Sequence, residues 1–179
     1  MIVIKYTDIL NSDKYETKVD PHVPFSITFT ELKGGITGRY IRIVDRNDSS
    51  SFIEVGINDY FKRIFELTLV GINPNLISCV RTLPVLNQKV ESGTPQINDD
   101  YWDDEKLPIV AENYKEFKSK LSLIISETAC ELLFSESEIV LVVKNENLEL
   151  LFDKNSNLAG LRINDLENET ISTLKEYKD

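Results

Sequence analysis

The most constraining stretch of the chain is its last third, where four short apolar runs follow one another with almost nothing between them. "ACELLF" (129–134), "EIVLVVK" (138–144), "LELLFD" (148–153) and "LAGLRI" (158–163) are all of strand length, and the links "SES", "NEN" and "KNSN" are turn-forming. Runs this short hide their apolar faces only by pairing, so the pattern predicts a four-strand antiparallel meander. Asp165 then stands where it can cap a C-terminal helix of about 12 residues, with Leu166, Ile171, Leu174 and Tyr177 on its apolar side.

The first half also reads mainly as strands. "IVIKY" (2–6), "FSITFTEL" (25–32), "TGRYIRIVD" (37–45), "SFIEVGI" (51–57) and "ELTLVGI" (66–72) are rich in β-branched and aromatic residues. Along 37–45 the residues alternate, Tyr40, Arg42 and Val44 on one face and Arg39, Ile41 and Ile43 on the other. "DRNDSSS" (45–51) is a turn, which makes a hairpin of 37–45 and 51–57. "NDYFKRIF" (58–65) reads as a short helix capped by Asn58. Residues 87–108 read as one long loop, punctuated by Gly93, Pro95 and Pro108. In 107–125, Val110, Tyr114, Phe117, Leu121 and Ile124 recur at helical spacing and predict a helix. The expected architecture is α+β over a single domain, 1–179, with antiparallel sheet dominant, a C-terminal four-strand meander and two or three helices.

A chain of 179 residues can bury about 70% of its unfolded surface and needs neither disulfide nor metal to hold a core. Cys79 and Cys130 lie in apolar, strand-like contexts and read as buried, reduced thiols, which favours a cytoplasmic location; a single disulfide is the other arrangement they allow. No run is long and apolar enough for a bilayer, and the N-terminus lacks the features of a signal peptide. The net charge of -10 is unevenly spread: residues 1–90 carry +1 and residues 91–179 carry -11. An acidic half repels nucleic acid and anionic membrane and draws in cationic proteins.

Catalytic patterns are missing where they would be looked for. The one histidine, His22, sits between prolines in "DPHVPF", and neither cysteine lies in a nucleophile motif. Three His/Cys residues without paired spacing make no zinc site, and "KGGITGRY" has glycines but no Lys-Ser/Thr ending for a phosphate loop. The chain therefore reads as a non-enzyme with no cofactor and no metal.

The remaining signal is "QINDDYWDDEKL" (96–107), where four aspartates and a glutamate surround Tyr101 and the only tryptophan, Trp102. As a calcium loop counted from Asp99 it fails, with Asp104 at the glycine position and Val110 at the glutamate position. A solvated loop beside a helix N-terminus would explain the acids but not two adjacent large aromatics. Tyr and Trp ringed by charge are what interfaces use as anchors, so Asp99, Asp100, Tyr101, Trp102, Asp103, Asp104 and Glu105 are the candidate partner-binding residues. Glu136 and Glu138, on the first turn of the expected meander, come second.

A small acidic α+β chain without catalytic motif, with this acidic-aromatic segment and the ending "LELLFDKNSNLAGLRI", resembles the bacterial immunity proteins of polymorphic or contact-dependent growth-inhibition toxins. That resemblance implies an intracellular inhibitor that binds a cognate toxin, often a basic nuclease domain, and blocks its active site. A general binding or assembly module and an enzyme with a dispersed site around His22 are the competing readings.

Overall fold

The structure, a computed structural model, describes residues 4–32, 38–98, 109–111 and 114–178. Among these, 55% lie in strands and 9% in helical turns. The strands are β1 (Lys5–Leu10), β2 (Tyr15–Lys18), β3 (Phe25–Phe29), β4 (Gly38–Asp45), β5 (Phe52–Asn58), β6 (Arg63–Gly71), β7 (Ile77–Cys79) and β8 (Lys89–Ser92). They continue with β9 (Thr94–Asn98), β10 (Ile109–Ala111), β11 (Tyr114–Ser119), β12 (Ser122–Ile125), β13 (Cys130–Leu133), β14 (Ile139–Asn145), β15 (Leu148–Asp153) and β16 (Leu158–Ile163). Among the described residues there is one α-helix, α1 (Asn168–Glu176), which follows the last strand.

Two sheets form. The first has nine strands in the order β1-β9-β6-β5-β4-β11-β10, with β3 also pairing β6 and β2 pairing β3. The second has seven, β7-β12-β13-β16-β15-β14-β8. Ile41, Ile43 and Phe117 of the first sheet and Leu123, Leu132 and Leu161 of the second belong to one buried apolar cluster.

Both sheets are mixed, which corrects the expected antiparallel-dominant α+β fold. β11 runs parallel to β4, β7 to β12 and β8 to β14. Parallel neighbours need long connections, and local patterning shows only hairpins. The hairpin of β4 and β5 is present, with Ile41 opposite Val55 and Ile43 opposite Ile53.

The predicted meander is also rearranged. β14, β15 and β16 follow one another antiparallel, but β13 pairs β16 instead of β14. The four strands thus close a Greek key.

Neither additional helix forms. Among the described residues of 107–125 the buried apolar ones are Phe117, Leu121, Leu123 and Ile125, with Lys115 and Ser119 also buried, all at odd positions. This period of two belongs to strands, and it wins because neighbours on both sides supply ladder partners. At 58–65 the carboxamide of Asn58 does accept from the amides of Tyr60 and Phe61, at 2.9 and 2.8 Å. It encloses a turn between β5 and β6, which leaves Tyr60 81% exposed. The C-terminal helix forms but is shorter: Glu167 is its N-cap and Asp165 stands upstream in a left-handed conformation, φ 53°. Ile171 and Leu174 are its buried side, and the Tyr177 hydroxyl donates to the carbonyl of Asp20 at 2.6 Å.

The segment read as a loop contains β8 and β9, and Gly93 between them carries the chain from the second sheet to the first. Its φ is 142°, its amide donates to the carbonyl of Lys144, and a Cβ there would lie 2.0 Å from the carbonyl oxygen of Leu10. Beside this crossing Asp13 is almost fully buried. Its carboxylate accepts twice from Nη1 of Arg63, at 2.7 and 3.0 Å, and its amide donates to Oγ1 of Thr94. Its carbonyl accepts from Nδ2 of Asn145 at 2.7 Å.

Gly93→Ala should destabilise the fold by at least about 3 kcal/mol in urea unfolding, since both the backbone conformation and the contact with Leu10 must change. Asp13→Ala should cost about 3 kcal/mol, with Arg63→Ala adding much less on top of it than it costs alone. Full additivity in that double-mutant cycle would mean that the pair does not hold the corner.

Candidate interaction surfaces

The solvent side of the first sheet carries an aromatic patch that grows out of strand alternation. With Ile41 and Ile43 of β4 in the core, Tyr40 and Arg42 are turned to the other face. β11 lies beside β4 in register, Tyr114 against Tyr40 and Glu116 against Arg42. The two tyrosine rings stack at 4.9 Å with an interplanar angle of 10°. Phe65 of β6 meets Tyr40 edge-on at 5.6 Å. Gly38 and Gly56 make room for it, since a Cβ on either would lie under 3 Å from the Phe65 ring. The Arg42 guanidinium lies 4.7 Å from the centre of Phe52 and 5.6 Å from that of Tyr114.

Carboxylates surround these rings. Glu54 accepts from Nε and Nη2 of Arg42 at 3.1 and 2.7 Å, and Glu66 accepts from Thr68 at 3.0 Å. Partial burial raises the Tyr40 hydroxyl above the usual tyrosine range, with Glu66 adding to it; Tyr114 is raised by burial and then by Glu54. Both phenols are therefore neutral donors, and the patch offers ring faces next to negative charge. Such a surface suits Lys and Arg side chains.

The residues singled out in the sequence are distributed as follows. Asp99, Asp100, Tyr101, Trp102, Asp103, Asp104 and Glu105 lie outside the described residues. The strand that follows them, β10, begins at Ile109, which pairs with Lys115, next to Tyr114. Glu136 and Glu138 are exposed in the link between β13 and β14. Glu136 accepts from Lys120 at 3.0 Å and lies 3.6 Å from Arg46, and the hydrogen bond and charge of Lys120 hold its carboxyl below the usual range. Its charge is thus matched within the chain.

His22 is exposed in a turn built on Asp20, whose carboxylate accepts from the amides of His22 and Val23 at 2.8 and 3.0 Å. Both cysteines are free, but only Cys130 is buried; Cys79 is exposed on β7, at the edge of the second sheet. Burial pushes the Cys130 thiol up to about 12. Among the described residues no three His, Cys, Asp or Glu side chains are grouped to hold a metal ion, and no helix is long and apolar enough to cross a membrane.

The alternation of 37–45 already put Tyr40 and Arg42 on one face. Their stacking on Tyr114 was hidden, because it depends on the parallel pairing of β4 with a segment that reads as helix. No protein-family model matches the chain, and no curated protein matches it significantly.

Thiol labelling checks this placement. Iodoacetamide should modify Cys79 in the native protein, with Cys130 reacting only after denaturation, as read by peptide mass spectrometry.

Proposed function

We propose that this chain is a non-catalytic, intracellular protein-binding inhibitor, in its sharpest form an immunity protein that neutralises a cognate basic toxin domain. The observation that carries the reading is the aromatic face of Tyr40, Tyr114 and Phe65 with Glu54, Glu66 and Glu116 around it. Stacked rings offer rigid contact area that loses little entropy on binding, and carboxylates beside them select a cationic partner. The charge of -11 over residues 91–179 supports the same partner by steering it in.

Asp99–Glu105, with Tyr101 and Trp102 among them, precede β10 in the sequence and remain the acidic-aromatic segment proposed to meet the partner. Glu138 is a further peripheral contributor; Glu136, already matched by Lys120 and Arg46, contributes less. Bound across a nuclease cleft, such a surface would compete with the phosphate backbone for the toxin's Lys and Arg side chains.

The test is co-expression with the product of the adjacent reading frame, scoring host survival and co-purification. Survival with a stoichiometric complex is expected. Tyr40→Ala and Tyr114→Ala should each then weaken binding at least about tenfold, or about 1.4 kcal/mol, mainly through faster dissociation. Changing Asp99, Asp100, Asp103 and Asp104 together to Asn should slow association and flatten its salt dependence. A harmless neighbour that does not co-purify, or a complex indifferent to all these changes, overturns the proposal.

A further inference from the structure

Residues 80–88 form a strap across the second sheet. β7 and β8, which it joins, are the two opposite edges of that seven-stranded sheet. Following the sheet, the span is about 29 Å, against about 33 Å for the ten fully extended steps from Cys79 to Lys89, so the strap has little slack. Pro84 suits its middle, because proline and the residue before it favour extended backbone. The strap is tied by Val80, whose amide donates to the carbonyl of Ile125, and by Arg162 on the central strand β16, whose Nη2 donates to the carbonyl of Pro84 at 2.9 Å.

Between strap and sheet lies a groove of about 430 Å³, within the range of ligand-binding pockets. Its apolar wall is Leu83, Val85, Leu86 and Val90, of which Val85 is 81% exposed and Val90 56%. Arg162 lines it and is only 8% exposed. Nε and Nη2 of Arg162 donate to Oε2 of the buried Glu131 at 2.9 and 2.5 Å, so its charge is matched and Nη1 remains as the donor for a ligand. Glu127 and Glu149 also line the groove, with Arg81 at the start of the strap as their counter-charge, which leaves the site net negative.

We propose that this groove binds an extended peptide segment in which an apolar side chain stands next to a Lys or Arg. The apolar side chain packs on Leu83, Leu86 and Val90, and the cation meets Glu149 and Glu127. A backbone carbonyl accepts from Arg162, as the carbonyl of Pro84 already does. A free carboxylate fits worse, since Arg162 is neutralised by Glu131 and two further glutamates face the space. The site lies on the second sheet and stands independently of the aromatic face on the first.

The test is to pan a displayed library of random short peptides on the immobilised full chain, and to map the selected peptides by amide NMR. The expected result is enrichment of sequences with an apolar residue beside Lys or Arg, with shifts concentrated in 81–90 and 126–129. Binding should fall at least tenfold in Val85→Asp/Val90→Asp and in Glu149→Lys. The two valines are exposed, so their replacement leaves the fold intact, whereas replacing Arg162 would strand Glu131 in the interior. No enrichment, enrichment of acidic sequences, or peptides that bind both variants undiminished would overturn the proposal. So would shifts confined to the first sheet.

Discussion

The fold depends on the corner where the chain passes from one sheet to the other through Gly93. Asp13, in the link between β1 and β2, bonds there to Arg63 on β6, Thr94 on β9 and Asn145 on β14, so one residue ties two strands of the first sheet to one of the second. A buried carboxylate is costly unless its acceptor positions are filled. Here it accepts both bonds from Arg63, and its own backbone amide and carbonyl are satisfied as well. Such a network adds little net stability compared with an apolar core, but it penalises any other register of the strands that meet at the corner. With β8 and β9 fixed on either side of Gly93, the relative placement of the two sheets follows.

The crossing after β11 reinforces the one at Gly93. Between β11 and β12 the chain changes sheets over Lys120 and Leu121 alone, and the amide of Leu121 donates to the Asp45 carboxylate at 2.8 Å. Asp45 ends β4, so the parallel pair of β4 and β11 is closed at the point where the chain leaves that sheet. The amide of Arg46 adds a bond to the carbonyl of Ser119. These contacts hold Tyr40 and Tyr114 in register, and the stacked pair on the outer face is a consequence of hydrogen bonding at the sheet's end. A shift of β11 by one residue would bring Tyr114 to the core side and Lys115 to the surface.

What the sequence discloses follows the range of each interaction. The strands of the hairpin at 38–58 and the three consecutive strands from 139 to 163 are legible, because alternation and turn residues act within a few positions. The place of β13 next to β16 is not legible, since every neighbour in a Greek key presents the same alternating pattern. At 107–125 two periodicities coexist: Phe117 and Leu121 fit a helix as well as a strand, and only pairing with β4 and β13 decides. Gly93 and Pro95 read as loop residues, when Gly93 is a sheet crossing and Pro95 lies within β9. Asp99–Glu105 stand out by composition alone and lie outside the described residues, whereas the aromatic face and the groove under the strap each need side chains far apart in sequence.

The two proposed surfaces share a physical design, and it is one that suits recognition. In each, a cation is matched from within, Arg42 by Glu54 and Arg162 by Glu131, and aromatic or aliphatic side chains surround it. An internally matched guanidinium is held rigidly in place, so its remaining ring contacts or N–H groups are presented at low entropic cost to whatever docks. Chemistry asks for the reverse, a group left under-compensated so that its protonation or nucleophilicity changes on demand. The buried thiol of Cys130 is held protonated, and the pH at which the phenols of Tyr40 and Tyr114 would ionise is pushed further up. Rigid faces with an excess of carboxylates, on two tied sheets, are suited to holding a cationic partner in one orientation, which is the property the proposed inhibitor needs.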